Sequence, residues 1–222
     1  LQVPKSLQIG FLVFMVMMVN KMALKMHQEG NDVRVFMPRF GIISERKFQL
    51  HEVIRLSGMN IIINDLDQPL IIKVASLPGE RLQVYFIDNE EYFKRKQYYF
   101  DDEGQPFPDN DERAIFFARG VIETIKKLNW VPDIIHINGW MASFIPIYLK
   151  NYYKTDSYFS DTKIVLSMYN EKDALFEDNI KEKLEFDNIK DLKALENPTF
   201  QNFVVESMKL VDTVVKGDEF LE

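Results

Sequence analysis

The sequence predicts an α/β fold with a doubly wound, mostly parallel sheet. Short apolar segments of strand length alternate with longer segments of helical spacing in both halves of the chain. A run of short β-type segments separated by Gly, Asn, Asp and Pro interrupts this alternation at residues 52–100. The 222 residues are 46% hydrophobic and 27% charged, as in soluble globular proteins. We therefore expect a single domain, 1–222, with a β-rich elaboration at 52–100.

The amino-terminal segment predicts a strand at residues 7–14, an amphipathic helix at 16–28 ending at Gly30, and a second strand at 32–37. This order is typical of a βαβ unit. Loops between a strand and its crossover helix normally take about 2–6 residues with turn chemistry, yet residues 11–19 contain no Gly, Pro, Asn, Asp or Ser. We therefore predict that a loop is missing from the sequence near residues 14–18.

Four short β-type runs follow, and together they predict hairpins or a meander inserted into the α/β framework. They span residues 53–55, 60–63, 70–75 and 82–87.

The second half of the chain returns to alternating helices and strands. A long helix is predicted at 110–128, because the Trp-Val-Pro sequence at 130–132 interrupts the helical pattern. The elements predicted after it are a strand at 133–137, a helix at 141–153, a strand at 163–168, a helical and polar segment at 171–210, and a strand at 213–215.

Composition excludes several classes of function. The absence of cysteine excludes disulfides and thiolate chemistry and is compatible with a cytoplasmic location. A net charge of -7 without long Lys/Arg clusters argues against a nucleic-acid partner. The apolar run 11–19 is far shorter than the roughly 20 residues that span a bilayer, so no membrane association is expected.

No residue pattern predicts a metal site or a pair of hydrolytic carboxylates. His27 and His51 have no further ligands at metal-type spacing. The acidic pairs 90–91 and 101–102 lie in tyrosine-rich or Gly/Pro-rich loops, where adjacent charges are usually solvated.

Six segments, in order along the chain, resemble the bacterial glycogen synthase and plant starch synthase family. The family has G-x-D/E-V-R-V-x-x-P-x-Y/F-G, V-Y-F-I-D-x-x-x-Y-F, a D-N-x-x-R-F segment, P-D-I-I-H-x-H-D-W, K-x-V-x-T-I-H-N and a final A-D-x-V strand. The corresponding segments here are GNDVRVFMPRFG (30–41), VYFIDNEEYF (84–93), PDNDERAIFF (108–117), PDIIHINGW (132–140), KIVLSMYN (163–170) and VDTVV (211–215).

The resemblance implies one Rossmann-like half of a two-domain, GT-B type glycosyltransferase. The amino-terminal domain of such an enzyme binds the growing α-1,4-glucan, and the carboxy-terminal domain holds most of the donor, ADP-glucose or UDP-glucose. The resemblance places that nucleotide-sugar domain beyond Glu222, so we expect the chain alone to be inactive. It implies no cofactor besides the donor sugar nucleotide, and it implies a second catalytic domain or partner chain for activity.

The end of the strand 133–137 carries the main candidate site, because α/β folds place ligands at the carboxyl ends of parallel strands. The resemblance makes His136, Asn138 and Trp140 candidates for sugar binding. Asn138 and Gly139 stand where the family has histidine and aspartate, so a titratable group and a carboxylate are lost. His136 is either a ligand or a satisfied core histidine, and Trp140 is either an aromatic platform or a core residue.

Five further candidates follow from the resemblance. Asp109, Asn110 and Arg113 either form a polar cluster near the acceptor path, or Asn110 caps the helix and Arg113 pairs with Asp109, and we favour the second interpretation. Tyr169 and Asn170 replace the family's His-Asn before its aromatic-glycine turn.

The sequence departs from the family pattern in two places, and these departures leave two functions open. The family's phosphate-contacting K-x-G-G loop is not visible, and charged residues follow Asn170. The first hypothesis is a glucosyltransferase domain that acts when complete. The alternative is a noncatalytic glucan-binding or regulatory homologue with an eroded site.

Overall fold

The computed structural model describes residues 5–77, 79–171 and 179–217. Helices and strands alternate, and parallel strand pairs are present in both sheets, so the predicted α/β class is confirmed. The chain forms two compact units, the first of residues 1–59 and 70–105 and the second of 60–69 and 106–222. Among the described residues, no helix is long and apolar enough to cross a membrane.

Eight strands and seven α-helices are defined in these residues. The strands are β1 (Arg34–Pro38), β2 (His51–Glu52), β3 (Met59–Ile63), β4 (Leu66–Ser76), β5 (Gln83–Asp88), β6 (Ile134–Asn138), β7 (Lys163–Met168) and β8 (Thr213–Lys216). The α-helices are α1 (Lys5–Gln28), α2 (Glu45–Phe48), α3 (Glu90–Phe93), α4 (Asn110–Lys127), α5 (Phe144–Lys150), α6 (Ile180–Phe186) and α7 (Phe200–Leu210). Short 3₁₀ helices span Trp140–Ser143, Ser157–Phe159 and Lys193–Leu195.

The first sheet has the order β1-β5-β4-β2, with β3 paired to β4. β1 runs parallel to β5, whereas β4 is antiparallel to both β5 and β2. Asn64 and Asp65 join β3 to β4 in the left-handed region, with φ of 45° and 65°, as tight hairpins require. The predicted meander is therefore present, but the run predicted at 53–55 is a turn and the strand lies before it, in β2.

The second sheet is parallel throughout, in the order β6-β7-β8. α4 packs against α5 and the 3₁₀ helix Trp140–Ser143, and α5 packs against α7. These helices bury large apolar side chains, with Phe116, Phe144 and Phe203 each at most 1% exposed. The predicted strand 163–168 coincides with β7, and the predicted helix 110–128 differs from α4 by one residue.

The amino-terminal prediction is wrong. α1 runs from Lys5 to Gln28, so residues 7–14 are helical and not a strand. The backbone continues as helix through residues 14–18, where a loop was predicted to be missing. The lack of turn residues across 11–19 fits this outcome, because nothing there stops a helix from extending. The end of the helix agrees with the prediction, since Gly30 has a φ of 94°.

The helical segment predicted at 171–210 contains α6, the 3₁₀ helix Lys193–Leu195 and α7, while residues 172–178 lie outside the described part of the chain. Its exposed side chains include the apolar Phe186, Val205 and Met208, and Leu184, Leu192 and Phe203 are buried. This segment therefore contributes to the core of the second unit.

Gly41 follows β1 where the backbone passes very close to residues 94 and 95. Its N–H donates to the carbonyl of Arg95 at 2.9 Å. A β-carbon here would overlap the carbonyl oxygen of Lys94 and lie 2.6 Å from that of Arg95. We expect Gly41→Ala to lower the free energy of unfolding by at least about 2 kcal/mol in urea denaturation, because backbone cannot move aside cheaply.

Gly104→Ala is the control for Gly41→Ala. A β-carbon at Gly104 meets open space, but its φ of 80° strains any other residue. We expect Gly104→Ala to lower the free energy of unfolding by about 1 kcal/mol. Equal losses for the two variants would contradict the steric argument.

Candidate functional site

The carboxyl ends of β6 and β7 lie side by side and bring several predicted residues together. The parallel register pairs Asn138 with Ser167, and the chain then leaves β7 through Met168 and Tyr169. Parallel strands present their polar ends at one edge, which is where α/β folds bind ligands. His136, Asn138 and Tyr169 therefore share one edge of the second unit's sheet.

His136 is half-buried and held by a neighbouring strand. Its Nε2 lies 2.7 Å from the hydroxyl of Ser167, within hydrogen-bonding distance. Burial lowers the pKa of the His136 imidazole below its usual 6.5. The neutral ring can donate or accept a hydrogen bond, but it is a poor carrier of positive charge at neutral pH.

Asn138 is held by the residue that follows β7. The hydroxyl of Tyr169 donates to Asn138 Oδ1 at 2.8 Å, and Asn138 Nδ2 donates to the carbonyl of His136 at 3.3 Å. Tyr169 is only 7% exposed, and Gly217 packs so closely that an added β-carbon would lie 2.7 Å from the ring. Both polar ends of the Asn138 amide are thus engaged within the protein.

Trp140 lies in the interior and opens the 3₁₀ helix. Its ring is 2% exposed and meets Phe200 edge-on, with centroids 6.0 Å apart. Its backbone N–H donates to the carboxylate of Glu171 at 2.8 Å. The indole is packed as a core residue, and the backbone N–H of Trp140 binds a carboxylate.

A small recess lies against this edge, lined by Gly139, Ser167, Tyr169 and Glu171 among others. The space open to water is about 30 Å³, room for one or two water molecules and far below the roughly 300 Å³ of small-molecule pockets. The residues of the edge thus enclose no sugar-sized cavity by themselves. Within the described residues, no three His, Asp or Glu side chains come together as metal ligands.

Asp109, Asn110 and Arg113 form a second group at the start of α4. Asn110 and Arg113 are fully buried, and Arg113 Nη1 donates to Asn110 Oδ1 at 2.7 Å. The guanidinium also lies 5.4 Å from the ring centroid of Phe107. The N-cap residue of α4 is Asp109 and not Asn110, which is the first residue of the helix. The backbone N–H of Arg113 donates to the carbonyl of Asp109 at 3.0 Å. These contacts stabilise the start of α4.

Asn170, the last of the predicted site residues, is exposed and follows Tyr169.

Two residues of the β6–β7 edge, Ser167 and Glu171, are not predicted from the sequence. Ser167 is a polar residue near the end of the apolar strand β7, and this departure from the apolar pattern could have indicated it. Glu171 reads as part of a polar segment, and no local pattern marks its contact with Trp140.

His136 provides a test of the geometry through its response to pH. We expect its NMR titration midpoint to lie below 6.5, because burial disfavours the charged ring. A histidine with a lowered folded-state pKa makes its full contribution to stability above pH 6.5, and the stability falls as the pH drops towards the folded-state pKa. His136→Gln should remove that part of the acid sensitivity in urea denaturation. A midpoint at or above 6.5 would contradict the burial.

Comparison with known proteins finds similarity to starch synthases and glycogen synthases. The family described as starch synthase catalytic domain matches residues 15–216, starting within α1 and ending at β8. The glycogen synthase of Chlorobium limicola is 43% identical over 146 residues, which is 65% of this chain and 30% of that protein. That of Chlorobaculum tepidum is 40% identical over 146 residues, again 65% of this chain and 30% of the relative. The chain thus spans about 30% of the length of these relatives.

A solved structure shares the fold. The catalytic domain of starch synthase IV from Arabidopsis thaliana, bound to ADP and acarbose, matches with a TM-score of 0.56 and 19% identity. The match covers 67% of this chain and 29% of the plant chain. At this identity the likeness is one of fold.

Proposed function

The chain belongs to the starch synthase catalytic domain family, and from this premise we propose that it is the glucan-binding part of a glucosyltransferase. The complete enzyme would transfer glucose from ADP-glucose or UDP-glucose to the nonreducing end of an α-1,4-glucan. This chain would supply the acceptor side, and a second domain or partner chain would supply most of the donor site.

The observation that carries the proposal is the family match across residues 15–216. Three further observations support it. The glycogen synthases of Chlorobium limicola and Chlorobaculum tepidum are at least 40% identical to this chain over 146 residues. His136, Asn138 and Tyr169 lie at the strand edge where α/β folds bind ligands. A neutral imidazole at this edge suits hydrogen bonding to sugar hydroxyls better than it suits charge stabilisation.

A second candidate function is a noncatalytic glucan-binding or regulatory protein. The observation that favours it is the state of Asn138, whose amide oxygen already accepts from Tyr169 and whose nitrogen donates within its own strand. Glucose transfer also needs positive charge or backbone amides to stabilise the departing nucleotide diphosphate. Lys and Arg are absent from the residues that line the described recess.

Binding and transfer measurements on the 222-residue protein test both candidates. Isothermal titration with maltoheptaose, ADP-glucose and UDP-glucose would be combined with an assay of labelled glucose transfer to glycogen. We expect glucan binding, weak or no nucleotide-sugar binding and no transfer by the chain alone. Addition of the carboxy-terminal remainder of the Chlorobium limicola glycogen synthase should then restore transfer.

Each other outcome has a defined meaning. Transfer by the isolated chain would contradict the need for a second domain. Glucan binding without restored transfer would favour the noncatalytic protein. Binding of neither maltoheptaose nor a nucleotide sugar would refute both.

A further inference from the structure

We propose that Glu171 holds the β6–β7 edge closed, because its carboxylate competes with a ligand for the backbone N–H of Trp140. The inference rests on the proposed function, since it takes the ligand of this edge to be an α-glucan. The Trp140 N–H donates to Glu171 at 2.8 Å. Of the residues that line the described recess, Glu171 alone carries a charge, so a carboxylate lies where a ligand would have to enter.

The contact between Trp140 and Glu171 is the last of three that link the ends of β6 and β7. The three contacts recur at every second residue, and the partners in each are 31 positions apart: His136 with Ser167, Asn138 with Tyr169, and Trp140 with Glu171. Asn138 and Ser167 are the last residues paired between the two strands. The third contact therefore lies beyond the paired strands, at the carboxyl ends where α/β folds bind ligands.

The Trp140 N–H is held in place by contacts that do not involve Glu171. The Trp140 side chain is 2% exposed and meets the ring of Phe200 edge-on. The hydroxyl of Ser143, a buried residue, donates to the Trp140 carbonyl at 2.5 Å. The backbone donor thus keeps its position when the carboxylate leaves, and a donor with a fixed position loses little entropy when a ligand binds to it.

The Glu171 carboxylate is the part of the contact that can move. Glu171 follows the end of β7, lies outside the helices and strands, and is half-buried. Holding a long side chain such as glutamate in one conformation costs more entropy than holding a short one. Displacement of the carboxylate returns this entropy and exposes the charge to water, so a ligand can replace it without disrupting the core.

The carboxylate is nevertheless a stronger acceptor than a sugar. A hydrogen bond to an ionised group is about twice as strong as one between neutral groups. A glucan offers only neutral hydroxyl and ether oxygens to the N–H, so it competes poorly with Glu171. A contact that is formed in about 90% of the molecules weakens the apparent affinity of such a ligand about tenfold.

A purely structural role for Glu171 predicts the opposite effect on affinity. A carboxylate that only stabilised the 3₁₀ helix Trp140–Ser143 would support the edge, and its removal would weaken a ligand bound there. The recess has a volume of about 30 Å³, too small for a sugar ring. Removal of the Glu171 side chain enlarges this space and frees its backbone donor in one step, which favours tighter binding.

The test compares Glu171→Ala with the original 222-residue protein by isothermal titration, with maltoheptaose as the probe. We expect the dissociation constant to fall about tenfold, because the Trp140 N–H becomes available. Glu171→Gln keeps the length of the side chain and an acceptor oxygen but loses the charge, so the fall should be about threefold. Glu196→Ala is the matched control, at an exposed glutamate of the same unit, and its effect should stay within about twofold.

Hydrogen exchange at the Trp140 amide measures the contact without a ligand. We expect exchange to accelerate about tenfold in Glu171→Ala, since the N–H loses its acceptor, and to stay within about twofold of the original rate in Glu196→Ala. An unchanged exchange rate in Glu171→Ala would show that the carboxylate does not occupy this N–H, and the inference would be overturned.

The binding results overturn the inference if Glu171→Ala binds maltoheptaose no more tightly than the original protein, or if Glu196→Ala tightens binding equally. It is also overturned if neither the original protein nor Glu171→Ala binds maltoheptaose. The proposed function fails separately. Tighter binding by Glu171→Ala without restored glucose transfer supports the competing carboxylate and counts against the transferase. Restored transfer with unchanged binding by Glu171→Ala supports the transferase and refutes the competing carboxylate.

Discussion

Replacing Lys183 by methionine is expected to lower the free energy of unfolding by about 3 kcal/mol at pH 8. Lys183 lies on α6 and is 1% exposed, with its Nζ 2.8 Å from Asp111 and 2.9 Å from Glu112 at the start of α4. Asp111 is 0% exposed, so the substitution leaves a buried carboxylate without its cation. Such an uncompensated charge costs far more than the lost attraction between two exposed charges.

The size of this loss should depend on pH. Burial raises the pKa of Asp111 to about 6, although Lys183 opposes the shift. An acid with a raised folded-state pKa binds its proton more tightly when folded, so its contribution to stability declines as the pH rises from about 4 to about 6. Without Lys183 the pKa rises further, and the decline extends to higher pH. The difference between the original protein and Lys183→Met should therefore be larger at pH 8 than at pH 5.

Urea denaturation at both pH values measures this effect, with Lys181→Met as the matched control. Lys181 lies on the same helix, is 56% exposed and reaches Glu185 only at 3.9 Å. The control should change the free energy of unfolding by less than about 0.5 kcal/mol at either pH. Similar losses for the two lysines, or a larger loss for Lys183→Met at pH 5, would refute the buried ion pair.

The elements that the sequence predicted well are those defined by local patterns. α4 has a wide apolar face, which predicts a helix, and it is followed by Val131-Pro132, which predicts where the helix ends. Both signals lie within the segment or just after it. β7 is a compact apolar run bounded by polar residues, and its predicted limits coincide with the structure. The apolar run 11–19 is bounded by Gly10 and Asn20 but contains no residue that separates a strand from a helix. Periodicity alone does not distinguish a short buried strand from a helix there.

The remaining features depend on contacts between distant residues. Lys183 and Asp111 are 72 positions apart, and each looks like an ordinary surface charge in its own segment. The bond between His136 and Ser167 needs the register of β6 and β7, which only the folded sheet defines. Motif resemblance therefore located the edge of the second sheet, but it left the partners of its residues undetermined.

Arg119→Met is expected to cost about 4 kcal/mol of the free energy of unfolding, because Arg119 joins four parts of the second unit. Its Nη1 lies 2.9 Å and 3.1 Å from the two carboxylate oxygens of Asp187 and donates to the carbonyl of Ile62 at 2.6 Å. Its guanidinium also lies 4.7 Å from the ring centroid of Tyr152. Arg119→Lys should recover less than half of the loss, since an ammonium lacks the planar face that lies over the Tyr152 ring.

The carboxylate left behind explains most of this expected loss. Burial raises the pKa of Asp187 and Arg119 opposes the shift, while Tyr148 donates to the carboxylate at 2.6 Å. Removing both charges in Arg119→Met/Asp187→Leu should therefore be less destabilising than Arg119→Met alone. The control is Arg46→Met, at an exposed arginine of α2, with an expected change below about 0.5 kcal/mol. Urea denaturation of the two single variants and the double variant measures the coupling between the two side chains. If the double variant loses as much free energy of unfolding as Arg119→Met and Asp187→Leu together, the two side chains act independently and the proposed network is refuted.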